Sequence, residues 1–245
     1  MLDRALAREN PLHQGPQGVP FDPDAALVRE ALRLYERYAI EVVERFDLCP
    51  WAAHARREGS TRARIFLQDS PLDLTPSLEA IEALAREPEI AVVFFIYPRL
   101  ELDRLDFEHF LRRFRHADSE RHPIGSIPFA MAAFHPEAPA DLGDPDRLIP
   151  FIRRTPDPTL QLVRRDALDS VQARSRTGTA FADLWMLSPA GREREPGPSV
   201  RERITLKNFE MVRSAGADAL EAVFRDIARD RADTYARIAA NATHA

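Results

Sequence analysis

Apolar residues recur at near-helical spacing from Val28 through Ala31, Leu32, Tyr35, Ala39 and Val42 to Phe46, which predicts about 22 residues of helix. Asp22-Pro23-Asp24 supplies its start, with a carboxylate acceptor at the N-cap, proline at the first helical position and acid in the first turn. The helix falters before Pro50, because proline lacks an amide hydrogen and crowds the turn ahead of it. Ala63–Gln68 reads as a strand, and Thr75-Pro76 opens a helix with Leu78, Ile81 and Leu84 on one face. Ile90–Tyr97 is a continuous β-branched and aromatic run, the pattern of a strand covered on both sides. Asp106 precedes the helical stripe Phe107, Phe110, Leu111 and Phe114. Ile127–Phe134 is a third strand that ends at His135-Pro136. Thr159–Arg164 alternates as a fourth, and a short helix is expected from about Asp166 to Arg174.

The order helix, strand, helix, strand, helix, strand, strand, helix predicts an α/β fold with a single mixed or mostly parallel four-stranded sheet covered by helices. Both a mostly parallel and a split, ferredoxin-like strand order fit this pattern. Residues 1–21, rich in Pro, Gly and Gln, are expected to form a flexible arm before a core of residues 22–174. Residues 175–198 read as a connector, though Phe181-Ala182-Asp183-Leu184-Trp185-Met186-Leu187 is apolar enough to dock on the core. From Ser199 to the end, two helices, Val200–Val212 and Ala217–Ile238, predict a C-terminal hairpin joined near Gly216. Such a hairpin packs on the core or on a second copy of the chain, so a homo-oligomer formed through it is a partner to consider.

Composition narrows the function. The 245 residues are 44% hydrophobic, enough for a buried core, and carry a net charge of −5 that offers no general attraction to nucleic acid or anionic membrane. No apolar run approaches the length that spans a bilayer, and the N-terminus has no apolar signal core, which predicts a cytoplasmic protein with no membrane partner. Lys207 is the single lysine, and none of the nine glycines stands in dinucleotide or phosphate-loop spacing, so no cofactor is predicted. The one cysteine, Cys49, has no second thiol in the chain to bond with.

Asp47-Leu48-Cys49-Pro50-Trp51-Ala52-Ala53-His54 is the segment richest in chemistry. If Pro50 begins a new helix, Cys49 stands at its N-cap, where unpaired amide hydrogens favour a thiolate. That suits a nucleophile, a redox centre or a metal ligand, and the competing reading is a small apolar residue at a helix corner. His135, at the end of the third strand, could activate such a thiol or simply satisfy turn carbonyls ahead of Pro136. Cys49, His54 and His135 could share a metal, although their spacing matches no specific ligand pattern. Arg153 and Arg154 precede the fourth strand and Arg164 ends it; their guanidinium groups could fork around a small anion or serve as surface charge.

Three motifs in this order resemble the bacterial domain-of-unknown-function family 1415: Leu48-Cys49-Pro50-Trp51-Ala52, Phe134-His135-Pro136, and Arg154-x-Pro156-x-Pro158-Thr159-Leu160-x-Leu162-x-Arg164. The resemblance covers about residues 25–175 and implies that cysteine, histidine and arginine come together; it implies no activity. The family pattern carries Asn where Arg153 stands, Tyr at Asp157 and His at Gln161, and its Phe-Ala-Gly run after the F-H-P motif is missing. Together these readings predict a thiol-dependent enzyme using Cys49 and His135 on a small anionic molecule held by Arg153, Arg154 and Arg164. A non-catalytic binding or assembly module and a metal-binding protein are the alternatives.

Overall fold

A computed structural model describes residues 22–49, 52–123, 126–139, 141–167 and 200–243. The expected arm, the connector with its 181–187 run, and most of the helix expected from Asp166 lie outside these residues. Helix α1 (Pro23–Arg37) begins where the Asp22 carboxylate accepts the amide hydrogens of Asp24 at 2.9 Å and Ala25 at 3.1 Å. It passes without a break into a π-helical segment, Tyr38–Glu44, so the whole predicted length is helical but its last turns are wide. The segment closes at Asp47, whose φ of 49° lies in the left-handed region. Asp47 N–H donates to the Glu44 carbonyl at 3.1 Å and Leu48 N–H to that of Val43 at 2.9 Å. This is a Schellman cap with aspartate where glycine is usual.

The remaining elements are α2 (Ala52–Arg57), β1 (Thr61–Ile65), α3 (Thr75–Ala85), β2 (Val92–Ile96), α4 (Arg104–Glu120), β3 (Phe129–Phe134), α5 (Pro145–Ile152), β4 (Thr159–Arg164), α6 (Val200–Ala215) and α7 (Ala217–Thr243). Helix α5 is absent from the expectation drawn from sequence. Its start repeats that of α1: Asp144 accepts from Asp146 at 2.9 Å and Arg147 at 3.0 Å, and Pro145 follows. Pro150 inside this short helix masks the signal.

The sheet has the order β1-β2-β4-β3; β1 and β2 are parallel, and β4 runs antiparallel between β2 and β3. Register partners share a face. Val93, Phe95, Leu160, Leu162, Phe129 and Met131 therefore point one way, into a core with Leu78, Ile81 and Leu84 of α3 and Phe107, Phe110 and Phe114 of α4. Ring edges meet ring faces there, with Tyr97 and Phe110 centroids 5.3 Å apart and Phe95 and Phe114 at 6.3 Å. Burying each such ring stabilises the fold by about 1.5–3 kcal/mol.

The second face presents Phe94, Gln161 and Ala132 in register. Tyr35 of α1 lies on Phe94 with centroids 4.7 Å apart, which places α1 on this side. A second apolar cluster then joins α1, the π-helical segment and α5 to the C-terminal pair, through Leu34, Tyr38, Val42, Phe151, Val212 and Phe224. Helices α6 and α7 meet at Gly216, whose φ of 93° suits only glycine. Ion pairs fasten α7 to α1: Asp230 takes Arg33 at 2.8 Å and Arg37 at 2.6 Å. No helix among the described residues is long and apolar enough to cross a membrane.

Candidate functional site

The three strands β1, β2 and β3 point the same way, so their carboxyl ends and the start of β4 share one edge of the sheet. His135 follows β3 at this edge and is buried. Its Nδ1 accepts the Glu137 amide hydrogen at 3.2 Å, which leaves the proton on Nε2, and Nε2 donates to the Leu102 carbonyl at 2.9 Å. Burial lowers its pKa, outweighing the Leu102 bond, so the ring is neutral at pH 7. Both ring nitrogens are occupied by main chain. As placed, the imidazole has no lone pair left to take a proton from a thiol.

The arginines separate. Arg164 stands at the opposite end of β4 from Arg153 and Arg154. Its Nε donates to Ile90 O at 2.8 Å and its Nη2 to Leu84 O at 2.9 Å and Glu87 O at 2.8 Å, which closes the C-terminal end of α3. Arg154 donates to Ala138 O at 2.6 Å, pairs with Glu221 at 2.7 Å, and lies 4.9 Å from the Phe151 ring centroid. Arg153 is placed differently: its guanidinium lies over Phe134 at 5.0 Å, on the second face. It also lines a cavity of about 110 Å³ with Arg104, Glu108, His135 and Ile149. The expected trio is thus not one cluster, and only Arg153 and Arg154 are near each other.

Cys49 is half-buried just after the Asp47 cap. The helix expected to begin at Pro50 is described only from Ala52 to Arg57, and the Cys49 carbonyl accepts the Ala52 amide hydrogen at 3.1 Å in the turn before it. An ionised Cys49 would oppose ionisation of Tyr35 and Tyr38. Burial pushes both phenols up, so both are neutral at physiological pH; Arg153 draws Tyr38 back, and Cys49 adds to the rise. The Tyr38 hydroxyl donates to Ile152 O at 2.9 Å, directly before Arg153. Tyr38 is therefore tied by its hydroxyl to the residue before Arg153, and its titration responds to both Arg153 and Cys49.

A metal trio does not assemble: His54 is exposed and pairs with Glu58 at 3.1 Å, and among the described residues no three His, Cys, Asp or Glu are gathered to hold an ion.

The model of the family described as Protein of unknown function (DUF1415) matches residues 32–180. The chain belongs to this family. No curated protein and no solved structure matches it. The DUF1415 segment holds Tyr35, Tyr38, Cys49, His135, Arg153 and Gln161, whereas α6 and α7 lie beyond it. The three positions at which a residue differs from the family pattern have different settings. Arg153 lies over Phe134 and lines a cavity with Arg104 and Glu108 of α4, and Gln161 is on the second face between Phe94 and Ala132. Asp157 instead reaches into α7, with Arg231 at 2.6 Å and the Tyr235 hydroxyl at 2.9 Å.

Sequence reasoning missed Tyr35 and Tyr38 as site residues, reading Tyr35 only as helix face. Their spacing, one turn apart and ahead of Cys49, was the available signal. It also missed Asp157 and Asn208, for which no local pattern exists, since their partners are about 75 and 160 residues away.

Proposed function

We propose that this chain is a thiol-dependent enzyme for a small anionic molecule, with Cys49 as the reacting group and Arg153 holding the anion beside it. One observation carries the reading: the helical segment that leads into Cys49 is tied to the residue before Arg153, the Tyr38 hydroxyl donating to Ile152 O at 2.9 Å, and both the thiol and the guanidinium act on the titration of that buried phenol. His135 serves as a brace, because its own amide hydrogen donates to the Arg153 carbonyl at 3.2 Å while its ring holds the turn below. Arg154 and Arg164 do not take part. The commitment of His135, Arg154 and Arg164 to internal carbonyls also supports a second reading, a binding module that uses the same face without turnover.

Alkylation of Cys49 by iodoacetate and by iodoacetamide tests the site, since the reagents differ in charge and in little else. Sulfur displaces iodide in both. A guanidinium that attracts an anion by about 1 kcal/mol raises the iodoacetate-to-iodoacetamide rate ratio about 5-fold over that of the urea-unfolded chain. Arg153→Gln removes the gain, and Cys49→Ser removes the labelling. A folded protein with the unfolded ratio sinks both readings. Saturable protection of Cys49 by inorganic phosphate, with no anion ever consumed, selects the binding module.

A further inference from the structure

The hairpin beyond the DUF1415 segment touches the candidate site from two sides. On one side Glu221 pairs with Arg154 at 2.7 Å, and Phe224 meets Phe151 edge-on at 5.5 Å, next to Arg153. On the other, two consecutive residues of α6 grip the turn that delivers Cys49. Lys207 pairs with the Asp47 carboxylate, and Asn208 donates its Nδ2 hydrogen to the Leu48 carbonyl at 3.0 Å.

Asn208 is an uneconomical residue for packing. It is 4% exposed, its neighbours on α6 include the core residue Val212, and its Oδ1 has no hydrogen-bond partner among the described residues. A buried acceptor left without a partner costs more than a single hydrogen bond ordinarily returns, so an aliphatic side chain would serve stability better. What an aliphatic side chain could not do is hold the Leu48 carbonyl. That carbonyl shares a rigid plane with the Cys49 amide nitrogen, so fixing its oxygen fixes the direction in which the chain enters Cys49. The turn needs such a hold, because Asp47 adopts a left-handed conformation that a side chain disfavours, and no glycine is present to make it easy.

We propose that Asn208 is a positioning residue for Cys49, acting through the Leu48 carbonyl, with Lys207 steadying the same turn through Asp47. The inference rests on the thiol reading above and extends it: the DUF1415 segment carries the reacting groups, and the hairpin aligns them. The site is complete only with α6 in place.

The test measures the iodoacetate-to-iodoacetamide ratio at Cys49, and its pH profile, in the full chain with Asn208→Ala and with Lys207→Ala. In folded Asn208→Ala the ratio drops from about 5-fold to near that of the unfolded chain, because the sulfur is no longer held where the proposed Arg153 attraction acts on the reagent, and the pH profile shifts with it. Lys207→Ala, on an exposed pair, lowers the ratio about 2-fold and decides the matter if Asn208→Ala does not fold. A folded Asn208→Ala that keeps the wild-type ratio and profile overturns the inference, as does an unchanged ratio in Lys207→Ala when that variant decides. Failure of the underlying reading looks different: there the wild-type protein itself shows the unfolded ratio.

Discussion

The two faces of the sheet are built from the same strands, yet they gather different side chains. Under α3 and α4 the rings close on one another, and the polar groups present are consumed: Ser77 bonds Tyr97 at 2.9 Å and Arg164 spends itself on the carbonyls at the end of α3. Under α1 and the π-helical segment, the half-buried Cys49, Tyr35 and Arg153 are gathered near the buried Tyr38, whose hydroxyl donates to Ile152 O. The contrast teaches where to place an arginine in an argument about function. Arg153 and Arg164 look alike in sequence, flanking one strand, and only the company of each separates them.

The largest break in this contrast comes from the closed face. Phe110→Ala opens a cavity among Tyr97, Phe107 and Phe114 and is expected to cost about 3–5 kcal/mol in urea unfolding. A loss below 1 kcal/mol would mean this face is not the stabilising core. The arginines give the next test. Arg164→Met strips the end of α3 of its donor and is expected to cost about 2 kcal/mol, whereas Arg153→Gln costs less than about 1 kcal/mol while abolishing the alkylation preference. Equal stability losses would erase the distinction drawn here.

The smallest effect is in pH. Burial lifts Asp118 above the ordinary carboxylate value, against the opposing pull of His122 3.3 Å away, and burial lifts Asp157 despite Arg231 and Tyr235. For a raised carboxylate the native state keeps a proton that the unfolded chain has lost. Its contribution therefore favours folding at low pH and falls away as pH rises from about 4 through the raised value. Asp230 works in the opposite sense: Arg33 first and Arg37 second hold it well below the usual range, so its stabilisation is present at neutral pH and is lost as pH falls below the unfolded value. The difference between wild type and Asp118→Asn isolates one group. The variant is expected to gain about 1 kcal/mol at pH 7 and nothing near pH 4, read from urea midpoints across that interval. A gain independent of pH would remove Asp118 from the account.

Legibility followed the range of the interactions. Helix α1, the aromatic strand β2 and the α4 stripe could be read because periodicity and caps are local, and Asp22-Pro23 announced its helix by chemistry within three residues. Helix α5 carries the same announcement at Asp144-Pro145, and a single internal proline overrode it. The site divided along the same line. Cys49, His135 and Arg153 were picked out by residue type, but their partners were not, because Leu102 reaches His135 across 33 positions and Asn208 reaches Leu48 across 160. Whether an imidazole acts or merely holds a turn is decided by those distant carbonyls.

Among the described strands, β4 is the last to be synthesised, yet it is an interior strand of the sheet. While the chain emerges from the ribosome, β1 and β2 can join through the crossover at α3, but β3 has no neighbour to zip against until residue 159 and beyond have appeared. The nascent protein therefore carries two open β edges at once, of the kind that invites pairing with another chain. Arrival of Thr159–Arg164 closes both in a single event, which makes this short stretch the keystone of assembly as well as the floor of the second face.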